Sequence, residues 1–370
     1  MKLALIYEKF ISRGGLEKYL YSFASELITN GHELAILTGE TDAQTELLRN
    51  TEFHRLPRKN LRQFSAAAEA ELAREVDADV SIGFGRTVAH DLHRAGGGCH
   101  RFYSDHVLHP LKRASAKNRV ELALERELYT SGKTRHFVVN SEMVSDQLQE
   151  AYGVDPERIT LIQTAVDSER FRPADSLDSR RAVRGEELSD ENPVFLFVSM
   201  NHRRKGLDAL LEAWPSAPEG AQLWIVGPEL APRHSRAIKK AKNGAVIRCF
   251  VQPDDLVPIY QAADFFIHPT LYDACANTVL QSMACGLPGI ISANDGARQF
   301  IEDGRNGLQL PHPSDPDEIA DKIRQMVGLS LTERQALAHA ARETMLPLTW
   351  EAHVERWEKL ITTIRSDRTV

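Results

Sequence analysis

The chain has 370 residues, more than one hydrophobic core ordinarily organises, so two domains are expected. A net charge of -7 with 26% charged and 42% hydrophobic residues excludes a nucleic-acid binder dominated by overall positive charge. Four cysteines (Cys99, Cys249, Cys275, Cys285) with no CxxC pair exclude a disulfide framework or zinc site and fit a reducing cytoplasm.

The opening "MKLALIYEKF" carries an apolar run too short for a signal peptide, and no run of about 18 apolar residues follows anywhere. "LALIY" reads as a strand, then comes a glycine-bearing loop. In "LEKYLYSFASELITN" the residues Leu16, Leu20, Phe23, Leu27 and Ile28 share a helical face. Asn30 and Gly31 stop that helix and "ELAILTG" is a second strand, a βαβ opening that predicts a parallel sheet. "DADVSIGFG", "RHFVVNS" and "RITLIQTAV" continue the alternation through a first domain at 1–168. The polar, charged stretch 169–192 is read as a linker.

The pattern then restarts over a second domain at 193–348. "PVFLFVSM", "AQLWIVG", "AVIRCF", "DFFIHPT" and "GIISA" are strands; "KGLDALLEAW", "LVPIYQAA" and "TVLQSMAC" are helices. The amphipathic segment at 349–365 is expected to pack back on the first domain. The fold class is therefore α/β, two doubly wound parallel sheets in series.

Three loops carry candidate chemistry. Gly14 and Gly15, between the first strand and its helix, would leave backbone amides free for a phosphate, or simply make a tight turn. In "SMNHRRKG" the run His202, Arg203, Arg204 and Lys205 lies at a strand end before a helix, placed to neutralise a diphosphate or to form a solvated basic turn. In "DACANTVLQSMACGLPG", Asn277 is the expected N-cap, and Ala276, Asn277 and Thr278 would offer amides to a phosphate. Asp273 stands ahead of that helix and Gln281 about one turn into it, both suited to sugar hydroxyls. His100 follows three glycines in "RAGGGCHRFY", which would open space beside its ring. No GxGxxG fingerprint and no P-loop occur.

With "YDACANTVLQSMACGLPG", "NHRRKG" and "GGLEK" in this order, the chain resembles the family-4 retaining glycosyltransferases, most closely their lipopolysaccharide-core glucosyltransferase group. The segment "VVNSEMVSDQLQEAYGVDPERITLIQTAVDSERFRP" matches in layout. The resemblance implies a GT-B fold, two Rossmann-like domains facing a central cleft, and transfer of a hexose from a nucleotide diphosphate sugar, UDP-linked, to a glycan or lipid-linked acceptor. It implies no metal and no cofactor beyond the donor itself. The family's E-x7-E pair falls on Asp273 and Gln281, and its "NGVD" reads "TAVD" at Thr164–Asp167. Carried over residue by residue, His100, Asp273, Arg204 and Lys205 become the catalytic set. Gly14, Gly15, Arg204, Lys205, Asp273, Ala276, Asn277, Thr278 and Gln281 hold the donor, with its base near "CFVQPDD". The Arg- and Lys-bearing segment 101–120 would dock on an anionic membrane surface, making a cytoplasmic enzyme peripheral to the inner face of the plasma membrane. A GT-B-type epimerase or phosphorylase and a non-catalytic nucleotide-sugar binder are the alternatives.

Overall fold

The computed structural model describes residues 1–11, 14–45, 48–185, 192–240 and 246–367. Two compact units emerge, 1–165 with 350–370, and 166–349.

Unit 1 is a seven-stranded sheet: β1 Lys2–Ile6, β2 Glu33–Thr38, β3 Thr51–Arg55, β4 Val80–Phe84, β5 His90–Arg94, β6 Thr134–Val139 and β7 Ile159–Leu161. The order is β3-β2-β1-β4-β5-β6-β7, with every pairing parallel. Helices α1 Gly15–Thr29, α2 Leu61–Arg74, α3 His100–Val107, α4 Pro110–Arg113, α5 Ala116–Thr130 and α6 Glu142–Tyr152 connect the strands. Leu20, Phe23 and Leu27 of α1 are buried against Leu3 and Leu5 of β1. The closing helix Trp350–Ser366 adds Val354, Trp357 and Ile361 to that same cluster.

Unit 2 is a six-stranded sheet: β8 Val194–Val198, β9 Gln222–Gly227, β10 Val246–Val251, β11 Phe265–His268, β12 Gly289–Ser292 and β13 Gly307–Leu310. Its order, β10-β9-β8-β11-β12-β13, is again wholly parallel. Helices α7 Leu177–Arg184, α8 Leu207–Ala213, α9 Pro232–Lys240, α10 Val257–Ala262, α11 Asn277–Ala284, α12 Pro316–Val327 and α13 Leu331–Met345 complete it. β8 is buried on both faces: Phe195 and Phe197 enter one core, Leu196 and Val198 the other. Strand order reverses between β8 and β11, and doubly wound sheets open a ligand crevice beyond the carboxyl ends of such strands.

The polar stretch expected as a linker departs from that reading. Part of it, 186–191, lies outside the described residues, but α7 is an ordered part of unit 2. Arg180 and Arg184 grip the two oxygens of Asp264 at 2.5 and 2.6 Å, and Arg184 also donates to the Ala262 carbonyl at 2.7 Å. A helix attached through arginines carries little apolar signal in its sequence.

Candidate functional site

The carboxyl end of β8 leads into residues 199–206, and that of β11 into residues 269–276. Backbone bonds stitch these two loops together. The Arg204 carbonyl accepts from the Leu271 amide at 2.8 Å and from the Thr270 hydroxyl at 3.1 Å. Gly206 has φ +81°, and a Cβ there would lie 1.8 Å from the Pro269 carbonyl oxygen. Only glycine allows this left-handed turn at so close an approach.

The basic run divides as a result. His202 is buried and pinned to the Pro228 carbonyl at 2.9 Å, and Arg203 is exposed. Lys205 is buried, and its ammonium bonds the carboxylate of Asp273 and approaches His268 Nε2 at 3.2 Å. Arg204, partly exposed, reaches the same Asp273 oxygen at 3.6 Å. Burial pushes the Asp273 carboxyl up, but Lys205 and then Arg204 outweigh it and bring the pKa down from 3.8 to about 2. The acid is therefore ionised at neutral pH.

Behind this pair is a second one, which no sequence motif marks. His268, the last residue of β11, is fully buried, and its Nε2 lies 3.2 Å from Oδ2 of the fully buried Asp295. Burial and Lys205 lower the His268 pKa, while Asp295 raises it. Asp295 Oδ1 accepts from the amides of Ala276 at 3.1 Å and Ala297 at 2.8 Å.

That bond revises the expected cap of α11. Ala276, not Asn277, occupies the N-cap position, without a side-chain cap bond, and Asn277 is the first helical residue. The Ala276 amide is committed to Asp295, so the helix offers a phosphate the Asn277 and Thr278 amides instead. The Thr278 hydroxyl oxygen is buried with no hydrogen-bond partner among the described residues. Gln281 Oε1 accepts from the buried Tyr260 hydroxyl at 3.3 Å, and its second lone pair and two amide hydrogens are its further bonding capacity.

His268, Asp273 and Asp295 bring potential metal-ligand atoms within 4.8 Å of one another. The Lys205 ammonium, bonded to two of the three, already supplies positive charge there and would repel a divalent ion.

In unit 1, Gly14 has φ +109° and caps α1 at the carboxyl end of β1; Ser12 and Arg13 of the same loop lie outside the described residues. A Cβ on Gly14 would lie 2.2 Å from Glu17 Oε2, and the Tyr7 hydroxyl donates to Glu17 Oε1 at 3.4 Å. Glu17 thus lies against Gly14, while the Cβ position of Gly15 meets nothing within 4 Å. A phosphate at Gly14 would first have to displace Glu17.

His100 is buried at the start of α3, with Nε2 2.8 Å from Asn118 Oδ1 and 3.1 Å from Glu121. The fully buried Glu125 anchors this helix start, accepting from the amides of His100 and Arg101 at 2.6 and 2.9 Å and from the Tyr152 hydroxyl at 2.6 Å. With Nε2 occupied, any ligand contact by His100 falls to Nδ1. Cys99 is buried beside Glu125, and burial followed by that carboxylate pushes its thiol up to about 12, a poor nucleophile.

Two parallel sheets in Rossmann strand order, one with paired cations and a helix start at its switch point, define a doubly wound α/β protein. Residues 13–170 match the family described as Glycosyltransferase Family 4, and residues 192–328 the family Glycosyl transferases group 1. Between them the two matches take in most of the chain, which belongs to these glycosyltransferases. The lipopolysaccharide glucosyltransferase WaaG of Escherichia coli strain K12 is 23% identical over 365 residues, 92% of this chain and 93% of that protein. A crystal structure of WaaG superposes with a TM-score of 0.79 at 21% identity, covering 95% of this chain and 98% of that one. Anabaena Alr3699/HepE, solved in complex with UDP and glucose, gives 0.73 at 16% identity over 98% and 100% of the two chains. The fold is GT-B.

Proposed function

We propose that this glycosyltransferase moves a hexose from a UDP-linked sugar to a glycan or lipid-linked acceptor of envelope polysaccharide synthesis, with retention of configuration and without a metal. Arg204 and Lys205 meet the departing diphosphate, and the Asn277 and Thr278 amides add the dipole of α11. These are preformed charges placed where negative charge develops as the glycosidic bond breaks. Asp273, ionised and fixed by Lys205, accepts from hydroxyls of the transferred sugar. Gln281 turns its amide toward the ribose. His100 contacts the sugar through Nδ1, the Gly14 and Gly15 amides face the donor, and Glu17, beside Gly14, accepts from acceptor hydroxyls.

The Arg204–Lys205–Asp273 cluster carries this reading: two cations on one partly buried carboxylate leave positive charge to spare for a diphosphate. The relatives support the donor and acceptor classes, since WaaG is a lipopolysaccharide glucosyltransferase and HepE was crystallised with UDP and glucose. Binding of UDP, measured calorimetrically, should weaken by roughly 10- to 100-fold in Arg204→Ala, the value of one charge-assisted phosphate contact. Unchanged affinity would remove Arg204 from the site. A screen of sugar nucleotides for hydrolysis, with and without a chelator, identifies the donor and tests metal independence.

Association with an anionic membrane is part of the proposal. Segment 101–120 forms α3, α4 and the start of α5, where Leu111 is 80% exposed beside Lys112 and Arg113. Among the described residues no helix is long and apolar enough to cross a membrane. Sedimentation with vesicles containing anionic lipid, and none with neutral vesicles, is the expected result. Equal sedimentation would remove the idea.

A further inference from the structure

His268 stands between two groups that make opposite demands on one nitrogen. Its Nε2 is 3.2 Å from the Lys205 ammonium, which can only donate, and 3.2 Å from Asp295 Oδ2, which as a carboxylate can only accept. A neutral ring presents at Nε2 either a lone pair or a hydrogen. With Lys205 in place the lone pair faces the ammonium and the ring hydrogen sits on Nδ1. Two buried atoms are then left without hydrogen-bond partners among the described residues, His268 Nδ1 and Asp295 Oδ2. One change gives Oδ2 its partner and removes the unpaired donor: with the hydrogen moved from Nδ1 to Nε2, Nε2–H donates to Oδ2 and Nδ1 keeps only a lone pair. The ammonium against Nε2 blocks it.

We infer that His268 is a positioning residue for Lys205 whose ring changes tautomer when Lys205 leaves it for a diphosphate. This rests on the proposed donor site. The diphosphate draws the ammonium off Nε2, one proton leaves Nδ1 to solvent, and one arrives at Nε2. The net proton count is unchanged. The new His268–Asp295 bond forms as the old His268–Lys205 contact is lost, so the release of Lys205 from its buried position is offset within the protein. Asp295 Oδ1 holds the Ala276 amide and hence the start of α11, so the same carboxylate keeps the helix tip fixed while Lys205 moves. The imidazolium alternative is disfavoured by its surroundings: burial opposes charge and the adjoining Lys205 adds to it, outweighing the pull of Asp295 and Asp273.

The test is nitrogen NMR of the histidine-labelled full chain, titrated with UDP, alongside calorimetry in two buffers of different ionisation heat. In the free protein His268 should show a pyridine-type Nε2 and a pyrrole-type Nδ1. Saturating UDP should exchange the two characters, with no net proton uptake. Loss of the signal in His268→Asn assigns it; if that variant does not fold, a shift of the same signal in Asp295→Asn does so. His268→Asn, which cannot make the exchange, should bind UDP roughly tenfold more weakly, about one charge-assisted hydrogen bond. UDP binding with the His268 spectrum unchanged overturns this inference alone, and so does uptake of a proton on binding. Failure of any nucleoside diphosphate to bind overturns the donor site and this inference with it.

Discussion

Replacing Lys205 with methionine keeps most of the side-chain stem and removes the ammonium that holds Asp273. The Asp273 carboxyl is lowered from 3.8 to about 2 although burial alone would raise it, and Lys205 is the largest lowering influence. A net shift of nearly two units corresponds to on the order of 2 kcal/mol of stability. Because the folded-state pKa is the depressed one, that contribution is fully present above about 3.8 and is lost as the pH falls through about 2. In the variant, Asp273 is left with Arg204 at 3.6 Å and burial then raises its pKa. Unit 2 should therefore lose roughly 2–4 kcal/mol at pH 7, the cost of leaving a largely desolvated carboxylate without its partner. The deficit should shrink on acidification, as protonation neutralises the unpaired carboxyl. Adding Asp273→Asn to Lys205→Met should recover most of the loss at pH 7. The assay is urea unfolding followed by the buried Trp214 and Trp224 of unit 2, with Trp350 and Trp357 replaced by phenylalanine in every protein compared. A deficit below about 0.5 kcal/mol at pH 7, the usual scatter of neutral surface changes, or one that does not vary with pH, would refute the reasoning.

Gln281→Glu should bind UDP about fivefold more tightly in calorimetry. A carboxylate can keep the Tyr260 bond on one oxygen and accept a ribose hydroxyl on the other; equal or weaker binding would place the ribose elsewhere. His100→Gln should lower kcat on the order of tenfold or more, with the unfolding midpoint of unit 1 little changed, whereas intact turnover would leave His100 a purely structural residue. Acid should weaken unit 1 early. His90 and His353 are lowered by burial from 6.5 to about 3, and His93 lies well below 6.5 as well. Their unfolded forms take up protons that the folded rings refuse, so stability falls as the pH drops from about 6.5 toward 3, by about 1.4 kcal/mol per ring at pH 5.5. Urea midpoints reported by Trp357 at pH 7.5 and 5.5 check this, and equal midpoints would contradict it.

How much of this was legible in the residues depended on whether the partner of each group was close in sequence. Apolar runs such as "LALIY", "PVFLFV" and "DFFIH" declare buried parallel strands by themselves, and they mark β1, β8 and β11. β5, "HDLHR", is equally buried but has only one apolar residue, so no hydrophobic pattern announces it. Three of its four polar side chains find partners outside the strand: His90 in Thr87 and Thr134, Asp91 in Ser81, and Arg94 in Thr164. α7 was concealed in the same way by arginines that pair with Asp264, about 80 positions along the chain.

The site divides along the same line. Arg204, Lys205 and Asp273 could be found because strand ends before helices are where doubly wound sheets gather charge. The cap of α11 could not, because a local rule assigns the nearest asparagine, whereas the bond comes from Asp295, 19 residues beyond Ala276. His268 gave one available signal, a histidine closing an otherwise apolar strand, where a buried ring must find a polar partner. That partner is the lysine most central to the proposed chemistry, so the unsatisfied atoms around His268 locate a movable bond. A core that needed only stability would have filled this position with an apolar side chain.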